Sequence, residues 1–407
     1  MKGQSMKRKV LLLLVLIVSL VPVAGCWSRR ELNDLAIAVA MGVDKSGDQY
    51  LVTAQIVNPG EVAAKRGGGG NSPVATYTST GDTLFEAIRK MTTKSPRKIY
   101  AAHLRLFVIG EELAKKEGVG KVLDLLSRDQ ELRTDYFVIV TKGTTATHVL
   151  KILSIPLEKI PANKMFQSLE TSEKAWAVTS AYTLDELISD LVSEGKNPLL
   201  PGLEIIGDPQ RGQTKENMEM PSPPAVLHLT GMAAFKKDKL IGWLNDTESK
   251  GTNYLNDKVE STIVLVPCSK KGSVSLELIR SKTKVKGNVK NGKPEVDVTV
   301  RTEANVAEVE CGNLDLTKTK TIYDLETKTE QKMKETIKAA LNKAQKKYKS
   351  DLFGFGEAIH RANPWYWKKV KKEWDKEFVD LAVNVQVEVK IRRTGTVGNS
   401  FLKEVKE

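Results

Sequence analysis

Hydrophobic positions along this chain change period several times, and each change marks an element. Leu35 to Asp44 and Gln49 to Asn58 are apolar-rich runs joined by Lys45-Ser46-Gly47-Asp48, so a strand hairpin is predicted. Val74 to Thr78 reads as a strand leading into a helix that opens on Thr83-Leu84-Phe85-Glu86. There a threonine can cap the helix and the glutamate can reach back, with Leu84, Ile88 and Met91 on the inner face. His103 to Ile109 reads as a strand and Glu111 to Arg133 as helical. Tyr136 to Val140 is apolar throughout, as a central strand covered on both faces should be. Thr183 to Glu186 opens a second capped helix with Leu184, Leu187, Ile188, Leu191 and Val192 together.

The texture breaks at 207–224, a polar, proline-rich stretch. Beyond it, Ala225 to Lys236, Lys239 to Leu244 and Val259 to Val266 read as strands. Val274, Leu276 and Leu278, and later Val296, Val298 and Val300, alternate with polar residues, with Asn291-Gly292 as a hairpin turn between. Met333, Ile337, Leu341, Ala344 and Tyr348 form one face of a long helix. Leu381, Val383, Val385, Val387, Val389 and Ile391 alternate strictly with polar neighbours, giving a last strand with one buried and one wet face. The fold class is α+β and multi-domain, with mixed or antiparallel sheets and packed helices. Residues 26–206 form an N-terminal α/β domain, 207–224 a linker, 225–394 a C-terminal α+β domain and 395–407 a tail.

The first residues set the compartment. Lys2, Lys7, Arg8 and Lys9 precede an apolar run from Val10 to Ala24, short for a spanning helix of about 20 residues but suited to a signal peptide. It ends in Val23-Ala24-Gly25-Cys26, a lipobox pattern, so residues 1–25 are expected to be removed and Cys26 lipidated. A diacylglyceryl group carries two chains, and burial of each methylene at about 0.8 kcal/mol makes such an anchor stable. Losing the signal peptide lowers the net charge of +13 by four. The balance stays basic, but export excludes nucleic acid as a partner. After Cys26, only Cys268 and Cys311 remain; outside the cytoplasm they can pair as a disulfide or stay as two buried thiols.

Catalytic chemistry finds little footing. The four histidines (His103, His148, His228 and His360) have no metal-ligand spacing. Nucleophile elbow, phosphate loop and kinase signature are all missing, so no catalytic residue, metal or cofactor is expected. The glycine run 67–70 lacks the following helix start of a phosphate cradle and reads as a flexible loop.

The densest stretch is Asp351 to Phe378, DLFGFGEAIHRANPWYWKKVKKEWDKEF. Gly354-Phe355-Gly356 reads as a sharp break after the long helix, its glycines supplying positive φ. Asn363-Pro364 restarts a helix, with Trp367, Val370 and Trp374 facing inward. Glu357 and Arg361, four apart, are placed to pair with each other or brace the junction. From Gln331 to Lys376 there are 13 Lys/Arg against 5 Asp/Glu, either a solvated face or a patch facing headgroups or an acidic partner.

These residues resemble a family. Cys26-Trp27-Ser28-Arg29-Arg30-Glu31-Leu32-Asn33 looks like the mature start of the Ger(x)C spore germination lipoproteins, the C subunits of GerA-type nutrient germinant receptors. Leu104 to Gly110, Arg128-Asp129 and Glu131-Leu132-Arg133 resemble the middle of the family's N-terminal domain. Gly231 to Phe235 and Leu240 to Leu244 resemble the opening of its C-terminal domain. Gly354, Gly356, Glu357, His360, Arg361, Pro364 and Trp367 match its signature. The resemblance implies a non-enzymatic lipoprotein on the outer face of the spore inner membrane, assembled with two integral membrane subunits (A-type and B-type) and needed for nutrient-triggered germination. An alternative of another class is a solute-binding lipoprotein that hands a nutrient to a transporter; such proteins show two similar lobes, and here the halves are unlike.

Overall fold

The structure, a computed structural model of the chain, describes residues 6, 8–12, 34–63, 71–154, 158–268, 272–312 and 314–395. Cys26, the segment 27–33 and the glycine run 67–70 lie outside these residues. Among the described residues, no helix is long and apolar enough to cross a membrane.

Two sheets organise the chain. The larger has nine strands, β1 (Leu35–Ser46), β2 (Gln49–Val57), β3 (Val74–Gly81), β4 (Lys98–Tyr100), β5 (Leu106–Ile109), β6 (Phe137–Thr141), β7 (Leu199–Gly207), β8 (Ala225–Lys236) and β9 (Lys239–Trp243). They lie in the order β3-β2-β1-β5-β6-β7-β8-β9, with β4 against the start of β1. The middle pairs from β1 through β7 are parallel and the flanks antiparallel. Alternation along β6 explains its apolar run: Val138 and Val140 enter one core, Phe137 and Ile139 the other.

The segment 207–224, expected as a linker, connects two hydrogen-bonded neighbours. β7 and β8 pair antiparallel from Leu199↔Ala234 to Gly207↔Ala225. Within the connection Asn217 is buried, its amide donating to the Leu153 carbonyl at 2.6 Å and its carbonyl accepting the Ala225 N–H at 2.9 Å. Strands from both sides of it therefore share one sheet.

The smaller sheet is β10 (Thr262–Pro267), β11 (Ser273–Lys290), β12 (Lys293–Val309) and β13 (Ala382–Arg393), in that order. Asn291 and Gly292, at φ 52 and 75, make the tight turn between β11 and β12. β13 runs parallel to β12, so a long crossover must return the chain. It does so through helices that cover the inner face, and Val387 and Val389 are buried beneath them. The free edge of β13 is capped by two helix glutamates: Glu330 accepts the Val389 N–H at 3.1 Å and Glu326 the Ile391 N–H at 2.9 Å.

The helices used below are α1 (Leu84–Lys90), α2 (Glu111–Lys116), α3 (Gly120–Arg128), α4 (Ala146–Lys151), α5 (Pro161–Ala175), α6 (Leu184–Val192), α7 (Asp246–Leu255), α8 (Thr319–Asn342), α9 (Phe355–Ala362), α10 (Pro364–Val370) and α11 (Trp374–Val379). α6 begins with the expected reciprocal cap of Thr183 and Glu186. α1 is capped by Thr83, but Glu86 reaches the N–H of Asp82 rather than that of Thr83. The single helix expected over 111–133 is two, α2 and α3. They separate where the Val119 N–H donates to the carbonyl of Asp238 at 2.8 Å, a tertiary bond that a continuous helix would forfeit. The strand expected from His103 is short, starting at Leu106.

Candidate functional site

The signature segment is organised by a carboxylate. α8 ends in a widened turn at 343–348, Lys349 takes a left-handed conformation (φ 50), and the chain turns inward at Asp351, which is fully buried. Its Oδ1 accepts the backbone N–H groups of Phe353, Gly354 and Phe355 at 3.0, 3.0 and 3.2 Å. Its Oδ2 accepts the Gly356 N–H at 2.8 Å and the Trp374 indole N–H at 2.9 Å. The first turn of α9 leaves its N–H groups without intrahelical acceptors, and a carboxylate placed there satisfies them and faces the positive end of the helix. Burial raises the Asp351 carboxyl to about 6 against the pull of these donors. The Asp351 carbonyl in turn accepts the Asn197 N–H at 2.7 Å, tying the segment to the chain before β7.

The two glycines act differently. Gly354 has φ +73, the left-handed conformation expected of both. Gly356 lies inside α9 and is needed for space: a Cβ there would sit 2.6 Å from the Gly195 Cα and 2.7 Å from the Trp374 Nε1. Around them Phe353, Phe355 and Phe378 form a ring cluster with centroids 5.2–6.4 Å apart.

The remaining signature residues surround this junction. Asn363 Oδ1 accepts the Tyr366 N–H at 2.9 Å, and Pro364 occupies the first position of α10, so the restart forms as expected. Trp367 and Trp374 are buried edge to face at 5.2 Å, with Val370 half-buried beside them. His360 is exposed and stacks on Trp367 at 5.7 Å. Glu357 Oε1 accepts the Ser193 hydroxyl at 2.7 Å, while Arg361 reaches Glu357 Oε2 only at 4.0 Å. Glu357 thus braces the junction against the end of α6 more closely than it pairs with Arg361.

A groove of about 570 Å³ adjoins the junction, lined by Asp190, Glu186, Lys196, Lys258, Glu357 and Arg361 among others. Burial raises the Asp190 carboxyl, opposed by Lys196 at 2.8 Å. A more apolar cavity of about 460 Å³ lies between α1 and α3, lined by Met41, Phe85, Ile88, Ile99, Leu125 and Leu126 with charged residues at its rim. Among the described residues, no group of three or more His, Cys, Asp or Glu side chains could hold a metal ion. Cys268 and Cys311, for which pairing and free thiols were both open, are joined as a disulfide with Cα atoms 6.0 Å apart, closing the end of the smaller sheet.

Asp351, Ser193 and Gly195 were not singled out from the sequence. An aspartate three residues ahead of a glycine that opens a helix was the available signal for Asp351. Ser193 and Gly195 carry none, because their partners lie more than a hundred residues away.

Comparison with known proteins adds a second line of observation. Residues 28–205 match the family described as "Spore germination protein N-terminal domain", and residues 230–395 match "Spore germination B3/ GerAC like, C-terminal". Spore germination protein KC of Bacillus subtilis (strain 168) is 36% identical over 409 residues, covering 99% of this chain and 100% of that protein. Spore germination protein B3 of the same organism is 26% identical over 388 residues, covering 94% and 98%. The crystal structure of the GerBC protein matches with a TM-score of 0.53 at 21% identity, over 86% of this chain and 96% of that one, a likeness of fold.

Proposed function

This chain belongs to the spore germination B3/GerAC-like family of non-catalytic proteins, and we propose that it serves as the lipid-anchored C-type subunit of a nutrient germinant receptor. In this reading Cys26 carries the lipid and the protein sits on the outer face of the spore inner membrane. It assembles there with two integral membrane subunits, A-type and B-type, and is needed for nutrient-triggered germination. The observation that carries the reading is the collinear similarity to spore germination protein KC over 99% of the chain.

The solute-binding alternative gains no support from the architecture. Lobes that close on a solute need a hinge between them, whereas the strands on either side of 207–224 are hydrogen-bonded neighbours from Leu199↔Ala234 to Gly207↔Ala225.

The test is an affinity purification of the tagged chain from detergent-solubilised spore membranes, read by mass spectrometry. Two co-purifying polytopic membrane proteins are expected. Recovery of the chain alone, or with an ATP-driven permease, would overturn the proposal. A Cys26→Ala chain should leave the membrane fraction, and undiminished retention would remove the anchor from the reading.

A further inference from the structure

The junction built on Asp351 presents an outward face that the packing does not use. Trp365 is 79% exposed, more than any other large hydrophobic side chain among the described residues. Lys368, Lys369 and Lys372 follow it at spacings of three, four and seven, all exposed, so the four share one side of α10 and of the short 3-10 turn after it. Among the described residues, none of these three lysines has an ion-pair partner. Several other basic residues of the same stretch are paired, Lys371 with Glu194 at 2.9 Å, Lys343 with Glu248 at 2.9 Å and Lys346 with Asp380 at 3.3 Å among them. The opposite side of α10 and α11 is held by buried Trp367 and Trp374, the latter bonded to Asp351. The outward face is therefore rigidly mounted, as a docking element must be.

We propose that Trp365, Lys368, Lys369 and Lys372 form a second membrane contact, which lays α10 against an anionic phospholipid surface. The composition distinguishes a bilayer from a protein partner. Lysine is depleted at protein interfaces, where arginine and aromatic residues are enriched. A tryptophan flanked by lysines suits the headgroup zone: the indole sits at the interface and hydrated ammonium groups meet lipid phosphates without fixed geometry. Unpaired charges are also those free to gain from the surface potential, which favours each lysine about fivefold and the three about a hundredfold. The proposal rests on the membrane-attached reading above, and its test separates the two.

The full chain, purified from membranes in detergent, is reconstituted into phosphatidylcholine vesicles with or without 30% phosphatidylglycerol, each containing brominated lipid as a quencher of tryptophan fluorescence. Flotation with pure phosphatidylcholine vesicles reports the Cys26 anchor alone. If the chain floats there, the anchor stands whatever the quenching shows. The docking contact predicts an increase in quenching on adding phosphatidylglycerol, above the constant quenching of Trp27 beside the anchor. The increase is absent from W365F, and in K368Q/K369Q/K372Q it falls as a docked-to-undocked ratio roughly a hundredfold lower. Flotation only with phosphatidylglycerol, lost in the lysine variant, would keep the docking contact and remove the anchor. A floating chain whose quenching is independent of phosphatidylglycerol or unchanged in W365F overturns the docking contact. Because these four side chains are exposed, the variants should keep the wild-type melting temperature, which is checked in parallel.

Discussion

Gly195 and Gly356 meet backbone to backbone: a Cβ on Gly356 would lie 2.6 Å from the Gly195 Cα, and a Cβ on Gly195 would lie 2.5 Å from the Glu357 N. The first turn of α9 is thereby seated against the stretch between α6 and β7. Neither chain can retreat easily, since Asp351 holds one and the Asn197 N–H bond to the Asp351 carbonyl holds the other.

Gly356→Ala should therefore destabilise the protein by about 2–3 kcal/mol, the cost of forcing a methyl group into a filled core. A denaturant midpoint that falls without a change in slope would report this. An unchanged midpoint would mean that the contact relaxes without cost.

Asp351→Asn exchanges an acceptor oxygen for an amide that cannot accept from Phe353, Gly354 and Phe355 and from Gly356 and Trp374 together. The expected loss is about 3 kcal/mol. Equilibrium unfolding of the variant checks this figure.

The titration of Asp351 has a definite sign. Its folded value of about 6 lies above the ordinary 3.8, so the native state holds the proton more tightly than the unfolded chain. The stability this group contributes is fully present below about pH 4 and is lost as pH rises through about 6. Wild-type stability should then fall relative to Asp351→Asn between those limits. A difference that widens as pH rises would reverse the assignment.

Arg361→Glu should change stability by less than about 0.5 kcal/mol, since an exposed pair at 4.0 Å is worth little. Glu357→Ala should cost about 1 kcal/mol by removing the acceptor of the Ser193 hydroxyl. Thermal melts of the two variants side by side distinguish a junction braced through Ser193 from one braced through Arg361.

Reduction of the Cys268–Cys311 bond, or Cys311→Ala, reopens a loop spanning 43 positions and should cost about 3–4 kcal/mol by the chain-entropy relation. A melting temperature insensitive to reductant in the wild type would show the bond to be unformed in solution.

Some of this protein was determined by the sequence alone. The strict alternation from Leu381 to Ile391, the Asn291-Gly292 turn, the Thr183–Glu186 cap and the Asn363-Pro364 restart all depend on contacts within a few residues. For such contacts the side-chain period and backbone preferences are sufficient. Inward-facing Trp367 and Trp374 followed from the same local spacing. The tertiary structure alone decided the rest. It made 207–224 a connection between paired strands, split the helix at Val119, chose the disulfide over free thiols, and gave Asp351 five donors and Gly356 a backbone neighbour. Each of these depends on a partner distant in sequence or on a geometry that only the assembled core imposes, and periodicity along the chain carries no information about which distant residue will fill a given space.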